Sequence, residues 1–460
     1  MTGKERGFSL GASLALTLGS AVLWGVAHFA TGRQRLGAVL MAAHLALIAF
    51  IMTMATKFTS ELLTLAVLPN WLTALTGGLI AIGVVWSAVI IWSFVLVKPA
   101  VTTMASRTLT TLTATLLCAS IIAPSAYAAR LAYLSRDMVT SVFNVAGNSP
   151  VVAQDPWNGA TRLNVLLIGA DAAANRIGVR TDSMTVASVD TATGATTLLG
   201  LPRNLEQVRL PEGPARDLFP YGFTGEPPYT PGLLNEVFQY AEDYPDMAPG
   251  VHKGQRGPKI LKETISDILG IPVNYYAMVD MTGFAQIIDA MGGVRVTIAD
   301  PIVYGRYGEH RLASGTRRLS GQEALWYGRS RTNSDDYVRM GRQKCLLNAV
   351  AKQADPITVL NSFERLTAAT KRAISTDIPQ DLLPAMIDLA QQVKNTRIRS
   401  LSFVPPLIST AYPDWDLIKE KVQVALAPQP IGQTVTAATP DADISGPSAE
   451  VPILLDANCD

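Results

Sequence analysis

Hydrophobic residues follow two regimes along the chain. Up to about residue 128 they form near-continuous runs, and beyond about residue 160 they alternate with polar positions at short periods. Four runs stand out, roughly 9–30, 36–55, 74–97 and 107–128. Each is close to the ~20 residues an α-helix needs to cross a hydrocarbon core. From 162 onward the pattern predicts α/β structure. RLNVLLIGAD (162–171) reads as a buried strand, SMTVASVD (183–190) as a second, and TTLLGL (196–201) as a third that Pro202 halts. TATGA (191–195) supplies the turn of an antiparallel hairpin between the last two. A turn centred near Thr193 sets Arg203 roughly opposite Ser183, beside Asp182. A one-residue slip of register would send side chains to the other face.

Further along, periodicity predicts helices over 257–271 (closed by Gly270), 282–293, 319–327, 336–354, 357–374, 379–394 and 414–426. Strands are expected over 273–281, 294–299 and 398–406. Helices alternating with strands predict an α/β fold, an α-β-α sandwich around a mixed central sheet. The expected organisation is a membrane domain (1–130), a stalk (131–160), an α/β domain (161–427) and a disordered tail (428–460) rich in Pro, Ala, Thr and Asp.

Basic flanks set the expected membrane topology, because Lys and Arg favour the cytoplasmic side. Lys4 and Arg6 precede the first run, and Arg33 and Arg35 follow it. With both flanks inside, segment 9–30 is a re-entrant or interfacial hairpin, which Gly11, Gly19 and Gly25 permit. The other three runs then cross, Lys98 and Arg107 fall inside, and the large domain emerges outside. Four crossings with the N-terminus outside export the domain as well. Four crossings from an inside N-terminus put Arg33 and Arg35 outside and rank last. Ala126-Tyr127-Ala128 resembles a signal-peptidase site, though small residues also close ordinary spans.

Composition narrows the field. Only 16% of the 460 residues are charged, a scarcity confined to the first third, and the net charge is +1. No basic arm, zinc finger or RNA-recognition motif is present, so nucleic acid is not an expected partner. Three cysteines are too few for a disulfide framework. Cys118 lies in an apolar run, and Cys345 and Cys459 could pair only if the tail folds back. His28, His44, His252 and His310 lack zinc-like spacing.

The chemistry concentrates in three places. Asp171 ends the first strand, where α/β sheets bind ligands, though it could equally serve a turn. Arg180-Thr181-Asp182-Ser183 places ions at the rim of the sheet, as either a site or a solvated loop. Arg203 follows Pro202, which fixes the backbone before it. In WYGRSRTNSDDYVRMGRQ (326–343), Arg329 and Arg331 are two apart and share one side of an extended segment. The next helix carries Arg339, Arg342 and Gln343 in line with Leu346 and Val350. Guanidinium groups thus begin a stripe that ends in the core, as in a polar pocket above a core rather than a solvated face. Asp335 and Asp336 would cap that helix or orient its arginines. A structural ion network is the competing reading of this block. Guanidinium forks grip phosphate oxygens, and carboxylates hold a divalent metal or move a proton, so a diphosphate ligand fits.

At these residues the chain resembles the LytR-CpsA-Psr family, strongly over about 162–355 and more weakly to about 426. The motifs are Gly169-Ala170-Asp171, the RTDSM of 180–184, the LPR of 201–203, the GGV of 292–294, the LSGQEALWYGRSR of 319–331 and the DYVRMGRQ of 336–343. The likeness is greatest to actinobacterial members. It implies a membrane-anchored, extracytoplasmic phosphotransferase of cell-wall assembly. The donor would be a polyprenyl-pyrophosphate-linked glycan, and the acceptor a peptidoglycan sugar hydroxyl. Asp171 and Asp182 would hold Mg²⁺ or aid proton transfer. Arg180, Arg203, Arg329, Arg331, Arg339 and Gln343 would grip the pyrophosphate. Two other readings of the same residues are a prenyl-pyrophosphate pyrophosphatase and a non-catalytic regulator that binds lipid phosphates. Two positions depart from the family. Asn204 stands where an aspartate is usual and could still orient Arg203 as an acceptor. Leu233, two before Asn235, stands where many members have lysine, which removes one phosphate contact.

Overall fold

The computed structural model describes residues 8–58, 65, 67–99, 103–143, 155–171, 178–225, 231–305, 307–331, 334–354, 373–427, 452–455 and 459. They form two compact units, residues 1–139 and 140–460.

The first unit is helical: α1 (Leu10–Val22), α2 (Val26–Ala30), α3 (Gln34–Lys57), α4 (Pro69–Leu96) and α5 (Met104–Val142). Three of these, α3, α4 and α5, are long and apolar enough to cross a membrane. The apolar run over 9–30 is broken at Gly25, between α1 and α2. Gly25 takes the left-handed conformation (φ 90°), and a Cβ there would lie 2.4 Å from the Gly37 carbonyl oxygen. At 1.5 Å per residue, the 13-residue α1 spans only ~20 Å, less than the ~30 Å hydrocarbon core. The stalk expected from 131 begins as helix, since α5 continues to Val142.

The second unit is an α-β-α sandwich. Its sheet contains β1 (Arg162–Asp171), β2 (Arg180–Asp190), β3 (Thr196–Leu201), β4 (Tyr275–Asp280), β9 (Ile374–Thr376), β10 (Ile398–Ser402) and β11 (Ile453–Leu454), in the order β11-β10-β3-β2-β1-β4-β9. Pairing is mixed: β1 with β4 and β3 with β10 run parallel, and the remaining neighbours antiparallel. Besides the short α6 (Pro214–Leu218), the helices are α7 (Leu234–Asp243), α8 (Arg256–Leu269), α9 (Met281–Ala290), α10 (Gly321–Arg329), α11 (Asp336–Gln353), α12 (Leu383–Lys394) and α13 (Trp415–Leu426). One face of the sheet buries Leu166, Ile168, Val186 and Leu199 against α7, α8 and α13. The opposite face buries Leu163, Val165 and Val189 against Leu389 of α12, and Leu198 and Ile398 against Leu347 of α11. Strand alternation, which sends successive side chains to opposite faces, accounts for this division.

The strand expected over 294–299 stands outside this sheet. It is β5 (Val294–Ile298), paired with β8 (Gly315–Leu319) beside a small hairpin of β6 (Ile302–Tyr304) and β7 (His310–Leu312). Val294, Val296 and Ile298 pack there with Ile288, Leu319 and Ala324 as a satellite core, and Leu346 of α11 joins it to the helix layer. The helix expected over 357–374 lies almost wholly outside the described residues.

The tail also departs from expectation where it is described. β11 pairs with Arg399 and Ser400 of β10, and Cys459 forms a disulfide with Cys345 of α11. Ile453 and Leu454 supply an apolar pair able to add a strand, and Leu455 is buried beside Leu198. The rest of 428–460 lies outside the described residues.

Candidate active site

The site lies at the carboxyl ends of β1, β3 and β10. The hairpin delivers its first two charges. Asp190 Oδ1 accepts from the backbone of Ala192 and Thr193 and from the Thr193 hydroxyl, and Gly194 takes φ 73°. That turn pairs Met184 with Leu201, which brings Asp182 level with Arg203. The register differs by one residue from the expected Arg203–Ser183 alignment. Nη1 of Arg203 lies 2.5 Å from Oδ1 of Asp182. Between β1 and β2 the register shifts at Gly169/Ala170, so Asp182 is an extra residue between Thr181, opposite Ala170, and Ser183, opposite Gly169. Bulges of this kind re-aim side chains beside functional sites. Strand β2 begins at Arg180 rather than 183, and Arg180 is the cross-strand partner of Asp171.

The arginines converge on a carboxylate that the motif reading left without a fixed role. Asp336 Oδ1 lies 2.9 Å from Nη2 of Arg331, and its Oδ2 lies 3.0 Å from Nη2 of Arg339 and 3.5 Å from Nε of Arg203. Its neighbour Asp335 caps α11 instead, accepting from the amides of Tyr337 and Val338. Arg339 also donates to the Asp182 carbonyl at 3.3 Å. Burial lowers its guanidinium pKa from the ordinary value, and the charge of Asp336 opposes that shift. Arg203, Arg331, Arg339, Asp182 and Asp336 thus form one connected cluster. Arg329 lies apart from it, with Nη2 3.8 Å from Oδ2 of the buried Asp171.

The cluster borders a small cleft whose lining includes Asp182, Ser183, Arg203, Arg339, Gln343 and Lys344, with about 10 Å³ of space, room for about one water. Gln343 donates to the Gly328 carbonyl at 3.0 Å, which joins α11 to the end of α10. Arg342, in the same stripe, is bound to the carbonyls of Tyr327 and Ser330 and to the Ser334 hydroxyl, so it braces the intervening loop. Lys344 is the residue that motif reading missed. It is fully buried, donates to the Leu401 carbonyl and the Ser402 hydroxyl, and burial pushes its amine down to about 7. Its only signal in sequence is a lysine between Gln343 and an apolar run.

The two departures have structural consequences. Asn204 Nδ2 points to Thr410 Oγ1 at 3.5 Å, and its Oδ1 has no partner among the described residues, so Asn204 does not orient Arg203. The backbone does that work, because the Asn235 amide donates to the Arg203 carbonyl at 3.1 Å. Glu236 receives the amides of Gly232 and Leu233 and so fixes the start of α7 beside it.

Among the described residues no group of three or more His, Cys, Asp or Glu side chains could hold a metal. Mg²⁺ commonly takes one or two carboxylates with phosphate oxygens and waters. Asp171 and Asp182 lie on adjacent strands at one end of the sheet.

The chain also has known relatives. Residues 138–405 match the LytR_cpsA_psr family, and the chain belongs to it. A polyisoprenyl-teichoic acid–peptidoglycan teichoic acid transferase, TagU, of Bacillus cereus is 33% identical over 134 residues, 29% of this chain and 42% of the relative. Biofilm regulatory protein A of Streptococcus mutans is 25% identical over 251 residues, 52% of this chain and 56% of the relative. The matches therefore span about half the length of these relatives. Among solved structures, B. subtilis TagV aligns at 22% identity with a TM-score of 0.41, over 57% of this chain and 96% of that one.

Proposed function

We propose that the chain is a phosphotransferase of cell-wall assembly, moving a glycopolymer-phosphate unit from a polyprenyl-pyrophosphate carrier to a peptidoglycan sugar hydroxyl. The observation that carries the reading is the cluster of Arg203, Arg331 and Arg339 around Asp336 and Asp182. These guanidinium groups are held at one point by carboxylates, and a diphosphate offers them the same kind of oxygen acceptors. The TagU relative's name points to the same chemistry.

In this reading the diphosphate displaces the carboxylate contacts, and Arg203, Arg331 and Arg339 take its oxygens. Arg180, Arg329 and Gln343 complete the grip. The acceptor oxygen attacks the glycan-bearing phosphorus, and the bond from that phosphorus to the bridging oxygen breaks. Polyprenyl phosphate leaves, and the hydroxyl proton passes to a carboxylate, Asp171 or Asp182. The same two carboxylates would hold Mg²⁺, whose charge would offset that on the phosphate oxygens. The gain is electrostatic, since fixed cations meet charge on phosphate oxygens.

The domain is assigned to the outer side of the cytoplasmic membrane. Three crossings by α3, α4 and α5, starting with Arg33 and Arg35 inside, end outside. Lys98 and Arg107 then join the inner side, against Lys57, Arg130 and Arg136 on the outer. The Cys345–Cys459 disulfide supports this, because such bonds persist in oxidising compartments.

The test mixes the full chain in detergent with Mg²⁺, a labelled lipid-linked donor and peptidoglycan. Label on the wall polymer is the expected result. Free phosphorylated glycan without wall label would make the protein a pyrophosphatase. Tight donor binding without either product would make it a lipid-binding regulator, and both outcomes refute transfer.

A further inference from the structure

One polar side chain interrupts the apolar stripe by which α11 lies on the sheet. Met340, Lys344, Leu347 and Ala351 recur at the spacing of a single helix face. Met340 is buried, and Leu347 and Ala351 pack against Leu198 and Ile398 of the sheet. Lys344, in the same stripe, is only 4% exposed. Leucine or methionine would fill the position without the cost of desolvating an amine. The sheet makes room for the lysine. Gly200, in the interior of β3, lies against it, and a Cβ there would stand 2.6 Å from Cε and 2.8 Å from Nζ. Glycine inside a strand weakens it and marks the close approach of another group. Past that gap Nζ donates to the Leu401 carbonyl at 3.2 Å and to the Ser402 hydroxyl, at the end of β10. Both acceptors are neutral. Among the described residues neither Asp182 nor any other carboxylate pairs with Lys344. Two acceptors satisfy the two N–H groups of a neutral amine, but an ammonium has a third donor.

The amine borders the reaction site itself. Lys344 shares the small cleft with Asp182, Ser183, Arg203, Arg339 and Gln343, and its space takes about one water. One phosphate oxygen is of similar size. The charged groups around that space are Asp182 on β2, Arg203 after β3 and Arg339 on α11. Strand β10 contributes no titratable group to Lys344, only the Leu401 carbonyl and the Ser402 hydroxyl. Asp182 is already held by Arg203 at 2.5 Å. An oxygen seated there meets two guanidinium groups, an amide and the lysine, which is a set of donors for an anion.

We propose that Lys344 is a further phosphate-binding residue of this site: one oxygen of the diphosphate seats in the cleft, and its charge holds Lys344 as the ammonium. The inference rests on the transferase reading and deepens it, adding a cation that appears when the anion binds. Without the anion, burial pushes the amine down to about 7, so near neutral pH it is ready to change charge. The proton comes from the buffer, and no covalent bond to the substrate forms. Below about pH 7 the ammonium is present beforehand and affinity is highest. Above it each binding event recruits a proton, so affinity falls by up to about tenfold per pH unit. The fall ends where the amine stays neutral in the complex too. The second ionisation of a phosphate group, near ~6, is largely complete before this window opens.

The test is calorimetry of geranyl pyrophosphate binding to the full chain in zwitterionic nanodiscs, with Mg²⁺ held constant and empty nanodiscs as the blank. It runs between about pH 7 and 9, in buffers of low and of high ionisation heat. Wild-type affinity should fall by about tenfold or more across that range, the scale of one charge-assisted contact. Binding near pH 8 should take up a proton, read from the difference between the buffers. Lys344→Met should bind about tenfold more weakly at pH 7, hold that affinity as pH rises, and take up no proton, so the two proteins converge by about pH 9. Lys344→Leu serves if the methionine variant melts early. A lysine kept only to brace α11 on β10 would change affinity equally at every pH and exchange no proton. That result, equal pH dependence in wild type and variant, or affinity that rises with pH, overturns the inference and leaves the diphosphate site standing. If the wild type binds no geranyl pyrophosphate at any pH, the diphosphate reading of the site falls and the inference with it.

Discussion

At the scale of single residues, charge is balanced at a few points, and each substitution tests one. Arg203 contacts Asp182 at 2.5 Å and reaches Asp336 at 3.5 Å. If it stabilises phosphate oxygens in the transition state, Arg203→Ala should lower turnover by about an order of magnitude or more, as removal of an electrostatic clamp does. Steady-state assay beside a melting curve checks this, and unchanged turnover in a folded variant removes the assignment. Asp336→Asn keeps the shape but not the charge that gathers three guanidinium groups. It should raise KM for the donor more than it lowers kcat, since it positions cations rather than touching the reacting atoms. A pure kcat loss would show that Asp336 has a direct part in the chemistry. Lys344 calls for a pH experiment. Unfolded, its amine titrates near ~10.4; folded, burial pushes it down to about 7. Between those values the unfolded chain binds the extra proton, so stability rises with pH by up to about 1.4 kcal/mol per unit. Below about 7 the full penalty is present. Lys344→Met lacks this dependence, so the melting temperature of the variant minus that of the wild type should fall steadily from pH 7 to 9.5. A flat difference would show that the amine keeps its ordinary value.

At the scale of elements, local rules carried much of the fold. Gly270 ends α8 in the left-handed conformation, Ser320 and Glu323 open α10 with a capping box, and Asp335 opens α11. The β2–β3 turn was visible in Thr193-Gly194, and it brought Asp182 to Arg203. Its register missed by one because the turn closes at Asp190 and Ala195, which sequence spacing does not specify. What stayed hidden depends on distant pairing. The hub role of Asp336 needs β3 and α11 side by side, contacts across more than a hundred residues. Likewise, β5 reads as a strand of the main sheet until β8 is found beside it. Strand β11 was invisible because a two-residue strand has no period, and its place depends on a disulfide spanning 114 residues. That bond gives the element-scale prediction. Closing so long a loop constrains the unfolded chain, and Cys459→Ser should cost about 2–4 kcal/mol of domain stability. Denaturant unfolding should show the same loss when wild type is reduced and no further loss when the variant is reduced. A reductant effect on the variant would place the sensitive bond elsewhere.

At the scale of the whole molecule, the membrane helices and the chemistry constrain each other through compartment. A polyprenyl-linked donor and a peptidoglycan acceptor meet only outside the cytoplasmic membrane, so the proposed reaction requires an exported domain. The proposed topology would meet that requirement: if Arg33 and Arg35 lie inside, three crossings by α3, α4 and α5 would end outside. The break at Gly25 suits the expected re-entrant reading of 9–30, since neither α1 nor α2 alone is long enough to span. The cysteines report the compartment directly. In an exported domain Cys345 and Cys459 remain joined, whereas reducing cytosol would leave both as thiols. Intact cells treated with a membrane-permeant maleimide should therefore label Cys118 at most, and labelling of Cys345 should appear only after reduction. A reporter fused after Ala427 gives the second reading, periplasm-type activity being expected. Cytoplasmic reporter activity with both thiols labelled before reduction would leave the domain on the wrong side for its donor. In that event the arginine cluster would have to be reassigned to a soluble diphosphate.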